Sequence, residues 1–329
     1  MRAWQITAHG APRDVLAAAD VAVPEPGPGE VRLVVRAAAV GMPDAFMCRG
    51  SYAFRPSLPF TPGQEVCGVV DAAGDGVTIR LGTRLMAVTS FFDGTGGFAQ
   101  QTIARAESAF RVPDGMDDVE AAGFRIGYST AWVGLVRRGG LRAGDQLLVL
   151  GAAGGSGATA LCLGRALGAR VIAVVGGREK AALCEALGAD VVIDRTTQSV
   201  TEAALEATGG AGVDLVYDPV GGEAANATLD CLARDGRILA VGFASGEWVQ
   251  PDPHRLVRRN ASVVGVYAGG YSREENDADH EALLALWERG ALSGTGTTVL
   301  PFDQLPDAVA LVDEGRAVGK VVVRAAGVG

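Results

Sequence analysis

Four apolar residues, Leu147-Leu148-Val149-Leu150, run directly into Gly151-Ala152-Ala153-Gly154-Gly155-Ser156-Gly157, and positions 158–167 then carry apolar residues at helical spacing. A buried strand, a tight glycine turn and a helix start confine the local fold to a βα unit. Glycines let the backbone approach a bound phosphate, and the helix N-terminus offers unpaired N–H groups and partial positive charge. The spacing departs from the strict G-x-G-x-x-G, so a plain strand-to-helix turn stands beside the dinucleotide-binding reading. The flanking strand and helix favour binding of a pyrophosphate by Gly154, Gly155, Ser156 and Gly157.

A second strand over 170–175 arrives at the spacing of a βαβ unit. In NAD-specific folds its end carries an acid that binds the ribose 2′-hydroxyl. Here Gly176-Gly177 occupies that place, followed by Arg178-Glu179-Lys180. Two cations and no carboxylate suit a 2′-phosphate. Arg178 and Lys180 have an alternative role, solvating the next helix. The expected cofactor is NADPH.

Strands alternate with helices from about 121 to 267, as a doubly wound parallel sheet requires. Six strands are expected, at 147–150, 171–175, 190–193, 213–217, 237–241 and 262–267, with helices including 179–187 and 223–232. Before this region, short strands and turns dominate. Val31-Arg32-Leu33-Val34-Val35-Arg36-Ala37 alternates, and Pro24-Glu25-Pro26-Gly27-Pro28-Gly29 is a turn-rich loop. After it come helical patterns at 279–289 and 303–314 and a terminal strand at 319–324. That strand needs a sheet, and the N-terminal β-rich region is its host. The fold class is therefore α/β, with a six-stranded Rossmann-type sheet (123–267) inserted into a discontinuous domain formed by 1–122 and 268–329.

The chain has 329 residues, 48% hydrophobic and 20% charged, with a net charge of −9. Phosphate-backbone and anionic-membrane partners require a basic face, so nucleic acid and membrane are not expected partners. No apolar run approaches a membrane span and Met1-Arg2-Ala3-Trp4-Gln5-Ile6 enters a strand pattern at once, which predicts a cytoplasmic protein. Cys48, Cys67, Cys162, Cys184 and Cys231 are scattered, and His9, His254 and His280 lie far apart. Neither set suggests a disulfide framework or metal cluster.

Pro62-Gly63-Gln64-Glu65-Val66-Cys67-Gly68, Gly97-Phe98-Ala99-Gln100, Val112-Pro113-Asp114-Gly115-Met116, Glu120-Ala121-Ala122, Tyr128-Ser129-Thr130-Ala131, the glycine turn, Leu187-Gly188-Ala189-Asp190, Asp218-Pro219-Val220-Gly221-Gly222 and Gly319-Lys320-Val321-Val322 occur in order. The collinear series resembles the zinc-free quinone oxidoreductase (zeta-crystallin-like) branch of the medium-chain dehydrogenase/reductase superfamily. The resemblance implies a GroES-like catalytic domain around the Rossmann domain. It also implies 2′-phosphate binding by Lys180, a nicotinamide contact at Thr130, a cofactor loop at Phe243-Ala244-Ser245-Gly246 and closure over the cofactor by Lys320. Arg195 stands where many relatives carry a tyrosine beside the adenosine.

Zinc dehydrogenases of the superfamily place a histidine where this chain has Gln64, whose amide is a poor zinc ligand. The four-cysteine lobe is also missing, so no metal is expected. Without a Lewis acid, reduction of an acceptor already polarised by conjugation is the chemistry left, rather than alcohol oxidation. On the substrate side, Gly41 replaces the usual asparagine and Phe46 the tyrosine of some relatives, while Asp44 and Tyr52 persist. Asp44 is expected to cap the helix over 44–49. Tyr52 either contacts a substrate carbonyl or packs at the cleft rim. Tyr52, Tyr128 and Tyr267 are the candidate proton donors.

Three functions follow from the resemblance: an NADPH-dependent reductase of quinones or other electron-poor acceptors, an enone or enoyl-thioester reductase, or a non-catalytic NADPH-binding crystallin-like protein. The partner is a small-molecule electron acceptor. A homodimer is expected through the apolar edge strand at 262–267, which lacks charged guards.

Overall fold

The computed structural model describes residues 1–292 and 294–325. The chain divides into two compact units, 1–126 with 297–329 and 127–296; residues 326–329 of the expected second segment lie outside the described residues.

In the first unit, β1 (Arg2–Ile6) and β2 (Leu16–Asp20) pair antiparallel on either side of the short helix α1 (Pro12–Val15). β3 (Glu30–Val40) follows, then helix α2 (Met42–Arg49), β4 (Glu65–Ala73), β5 (Arg84–Thr89) and β6 (Gln101–Arg111). Alternate residues of β3 are buried, including Val31, Leu33 and Val35, as a half-covered antiparallel strand requires. β3, β4, β5 and β6 pair in sequence, and β3 also pairs with β6, which closes the sheet on itself. Closure leaves no free edge between these four strands. Helix α3 (Asp118–Trp132) leads out of this unit into the next.

The second unit runs β7 (Gln146–Leu150), α4 (Gly155–Ala166), β8 (Arg170–Val175), α5 (Arg178–Ala186), β9 (Val191–Asp194), α6 (Val200–Ala207), β10 (Val213–Asp218), α7 (Gly222–Thr228), β11 (Leu232–Ala240), α8 (Pro253–Arg259), β12 (Ser262–Gly265) and α9 (Arg273–Glu288). Its strand order is β12-β11-β10-β7-β8-β9, parallel throughout. That is the six-stranded Rossmann order, with the switch point beside β7. The central strands are apolar without alternation because helices cover both faces. Leu147, Leu148, Val149, Val171, Ile172 and Ala173 are all wholly buried.

The chain then returns to the first unit. β13 (Thr298–Pro301), α10 (Leu305–Asp313) and β14 (Val321–Arg324) complete it, with β14 antiparallel to β3. The terminal strand thus finds the β-rich host that its apolar sequence called for.

Several boundaries differ from the sequence reading. The second crossing lies at Gly296/Thr297 rather than 268, because α9 packs within the nucleotide unit. There Arg137 Nε donates to Asp279 Oδ2 at 2.7 Å, and its guanidinium lies 4.9 Å from the Tyr271 ring. The helix expected over 223–232 stops at Thr228, and β11 begins at Leu232, well before 237. β12 stops at Gly265 and leaves Tyr267 outside the strand.

Candidate functional site

The glycine turn is built at the end of β7. Gly151 has φ +57°, and its carbonyl accepts the Gly154 N–H at 2.9 Å. Gly154, extended at φ −87° and ψ 167°, is the N-cap of α4. A side chain at Gly157 would overlap the Gly151 carbonyl oxygen and lie 2.7 Å from Ala152 Cα, so this position admits only glycine. The first-turn N–H groups of a helix have no intrahelical partner, and here nothing larger than glycine or serine screens them. The Ser156 hydroxyl, expected at the cofactor, lies 3.0 Å from the Tyr217 hydroxyl, which is wholly buried. Ser156 therefore offers its backbone N–H.

At the tip of β8, an added Cβ at Gly176 would meet Arg195 Nη2 at 3.1 Å, so the guanidinium lies across the bare strand end. Lys180, half-buried one turn into α5, has its pKa lowered by burial and then by the charge of Arg195. Arg178 is exposed at the start of α5. The structure therefore brings Gly176, Lys180 and Arg195 together. It also supplies a carboxylate that the strand-tip reading missed. Asp194, at the end of β9, accepts the Gly177 N–H at 3.0 Å and the Thr196 hydroxyl at 2.7 Å. These bonds hold its pKa below the usual range, the Gly177 bond most. Only strand pairing reveals it, since β9 lies one strand beyond β8.

Thr130 is half-buried on α3. Tyr128 is 4% exposed, and its hydroxyl engages the Cys162 thiol, so this candidate proton donor sits in the core of the nucleotide unit. The loop after β11 rests on the end of β10, with the Ser245 N–H donating to the Val220 carbonyl at 2.9 Å. Phe243 stacks on Trp248 at 4.8 Å between ring centroids. The Ser245 hydroxyl is engaged locally with the Glu247 backbone. Tyr267 is 66% exposed, beyond the end of β12.

In the β-rich unit, Asp44 is buried on the first turn of α2. Its Oδ2 accepts the Gly41 N–H at 2.8 Å and its Oδ1 the Gly63 N–H at 3.1 Å. It thereby caps its helix and ties it to the turn before β4. Burial pushes its pKa up to about 7 against those two bonds and the Lys320 charge, which lower it. Phe46 is half-buried on the same helix. Tyr52 Oη accepts a hydrogen bond from Gln64 Nε2 at 3.3 Å. Phe54 stands 5.9 Å from the Tyr52 ring and 4.6 Å from Phe92. Lys320, expected to close over the cofactor, is buried, with Nζ 3.0 Å from Glu65 Oε2. Its charge is spent inside the unit. The motif residue Glu65 had signalled nothing about this pairing.

Residues 27–114 match the model of the alcohol dehydrogenase GroES-like domain, and residues 155–285 match that of the zinc-binding dehydrogenases. A quinone oxidoreductase-like protein 2 homolog of Nematostella vectensis is 31% identical over 303 residues, covering 90% of this chain and 82% of that protein. The chain belongs to the quinone oxidoreductase-like branch of the medium-chain dehydrogenase/reductase superfamily. Among solved structures, a mycobacterial protein complexed with NADPH matches at TM-score 0.90 and 31% identity, covering 98% of this chain and all of that one (100%). Escherichia coli quinone oxidoreductase complexed with NADPH matches at TM-score 0.88 and 26% identity, over 98% and 100% of the two chains. As a member of this family the chain is an oxidoreductase.

The zinc in one matched model's description does not suit these side chains. The Gln64 amide donates to Tyr52, the neighbouring Glu65 is paired with Lys320, and Gly41 offers no side chain. Among the described residues no three His, Cys, Asp or Glu converge as metal ligands. Cys48 and Cys67 are buried, and burial pushes each thiol up to about 12, away from the thiolate that zinc requires. The nucleotide unit, by contrast, fits NADPH. The glycine turn accommodates a pyrophosphate, and Lys180 with Arg195 forms a cationic pair that an anion relieves.

Proposed function

We propose that this chain is a zinc-independent, NADPH-dependent reductase of quinones or other electron-poor conjugated acceptors. The observation that carries the reading is the placing of Lys180 and Arg195 beside the bare tip at Gly176, with the glycine turn on the preceding strand. The two relatives solved with NADPH support the same cofactor. Gly154, Gly155, Ser156 and Gly157 would hold the pyrophosphate through backbone N–H groups, and Lys180, Arg195 and Arg178 the 2′-phosphate. Thr130, Phe243 and Ser245 are proposed to line the cofactor. When bound, NADPH supplies a hydride. The chain's own contribution is positioning, exclusion of water and a proton.

Tyr52 is the proposed proton donor, since Tyr128 is buried against Cys162. Gly41, Asp44 and Phe46 are proposed to shape the acceptor side. Neither Gly41 nor Phe46 carries a hydrogen-bonding side chain, and the two Asp44 oxygens are taken by backbone N–H groups, which favours an acceptor with one carbonyl for Tyr52 to engage. Enone or enoyl-thioester reduction is therefore the second reading. A homodimer through β12, which lies at the sheet edge, and a cytoplasmic setting complete the proposal. The five cysteines are all free, in keeping with a reducing compartment.

The test is a cofactor-oxidation screen with NADPH and NADH against a naphthoquinone, a simple enone and a 2-enoyl thioester. Turnover with NADPH exceeding that with NADH supports the proposal, and the favoured acceptor separates its two forms. Tight NADPH binding with no oxidation by any acceptor overturns it in favour of a non-catalytic binding protein.

A further inference from the structure

Gln64 occupies the position at which zinc dehydrogenases of the superfamily present a histidine, yet its side chain has a definite partner. Its Nε2 donates to Tyr52 Oη at 3.3 Å. We propose that Gln64 is a positioning residue for proton transfer, its carboxamide holding the Tyr52 phenol so that the phenolic proton is directed at the carbonyl oxygen of the acceptor. This rests on the reading of Tyr52 as proton donor to a conjugated acceptor.

A carboxamide nitrogen donates and cannot accept, and a phenol oxygen carries one proton and accepts through its lone pairs. When Gln64 donates to Tyr52, the phenolic proton must point away from Gln64. A donor on the phenol oxygen also polarises its O–H bond and stabilises the phenolate left after transfer. A carboxylate in the same place would instead attract the phenolic proton, and a leucine would donate nothing to the phenol oxygen.

Positioning requires a rigid support, and the backbone under Gln64 is held from several directions. The Gly63 N–H is bound by Asp44 Oδ1, while the Gly63 carbonyl accepts the Thr89 hydroxyl and the Gly97 N–H, both at 2.7 Å. The Gln64 carbonyl accepts the Thr89 N–H at 2.9 Å. Gly63 adopts φ +105°, and a side chain there would press on the Phe98 backbone nitrogen at 2.7 Å. The Tyr52 ring is flanked by Phe54, which Phe92 buttresses edge-on. Asp44 thus acts at one remove, locking the turn that carries Gln64.

The step balances. NADPH, which the glycine turn and Lys180 would hold, would supply the hydride for the new C–H bond at the electrophilic carbon, and the conjugated electron pair would move to the carbonyl oxygen. That oxygen takes the Tyr52 proton as the phenolic O–H bond breaks. The phenolate then recovers a proton from water.

The test combines Gln64→Leu, Gln64→Glu and Tyr52→Phe, singly and in combination. Gln64→Leu should lower kcat about tenfold with little change in KM, and should cost nothing further when added to Tyr52→Phe. The near-isosteric Gln64→Glu guards against loss of folding. Its carboxylate should draw the phenolic proton away, so that activity falls at neutral pH and recovers on acidification. Independently of turnover, the tyrosine Fermi-doublet ratio in Raman difference spectra against Tyr52→Phe reports whether the phenol accepts a hydrogen bond. Loss of the acceptor signature in Gln64→Leu supports the proposal. An unchanged signature, or losses that add fully in the double variant, overturns it. If Tyr52→Phe turns over at the parent rate, the assignment of Tyr52 as donor fails, while the Raman comparison still decides whether Gln64 orients it.

Discussion

The Lys320 ammonium lies 3.0 Å from the Glu65 carboxylate, with both side chains almost wholly enclosed in the β-rich unit. Glu65 opens β4 and Lys320 immediately precedes β14, and both strands pair with β3. The other Glu65 oxygen accepts the Ile126 N–H at 2.5 Å, so the carboxylate is bonded on both sides. Gly123 leaves room for the lysine stem, whose Cγ would lie 3.1 Å from a Cβ placed there.

Removing one partner strands a buried charge. Lys320→Met should therefore cost about 3–5 kcal/mol in urea unfolding. The double change with Glu65→Gln should cost less than the sum of the two single changes. A loss below about 1 kcal/mol for Lys320→Met would show that the pair carries little of the fold.

Asp44 makes stability depend on pH. Its carboxyl rises from 3.8 in the open chain to about 7 when buried. Between those values the unfolded chain binds fewer protons than the native one, so stability falls as pH rises, by up to ~1.4 kcal/mol per pH unit. Asp44→Asn should flatten that slope. It should also lower overall stability by about 1–3 kcal/mol, because one of the Gly41 and Gly63 N–H groups loses its acceptor. Urea midpoints at pH 5 and pH 8 for both proteins check the sign.

Cofactor preference should turn on the tip of β8. Lys180→Ala should weaken NADPH binding by about tenfold or more and leave NADH within about twofold. Gly176→Asp should go further, placing a carboxylate against Arg195 and a like charge against the 2′-phosphate, and so favour NADH. The added atoms meet the mobile end of Arg195 rather than backbone, so the change should be tolerated. Fluorescence titration with each cofactor reads both effects, and equal losses for the two cofactors would contradict them.

β12 has a neighbour on one side, β11, and its other edge is unpaired among the described residues. Light scattering at micromolar concentration should show a dimer, and Val264→Lys should shift it toward monomer. A monomeric parent protein would refute pairing through this edge.

Local patterns carried the nucleotide unit. Its strands are continuous apolar runs and its turns are marked by glycine, so all six strands were placed within a few residues except the start of β11. That strand begins among polar residues, Ala233-Arg234-Asp235, where apolar content gives no signal. The β-rich unit was legible as strands, but not as a sheet in which β3 pairs with both β4 and β6. The glycines at 151, 154 and 157 were legible as a phosphate turn, whereas Asp194 was not, because it comes from the strand beyond β8.

By itself the sequence determined the period of the strands, the order of the units along the chain, the place of the glycine turn and the poor zinc-ligand character of position 64. Each depends on a few neighbouring residues. Only the tertiary structure decided how charged and polar side chains are spent. Lys320 and Glu65 are 255 positions apart, and Asp44 meets Gly63 only through packing of α2 on the turn before β4. Gln64 reaches Tyr52 across a turn. Such partners are chosen by burial, since an enclosed polar group must be satisfied by whatever the fold brings near it.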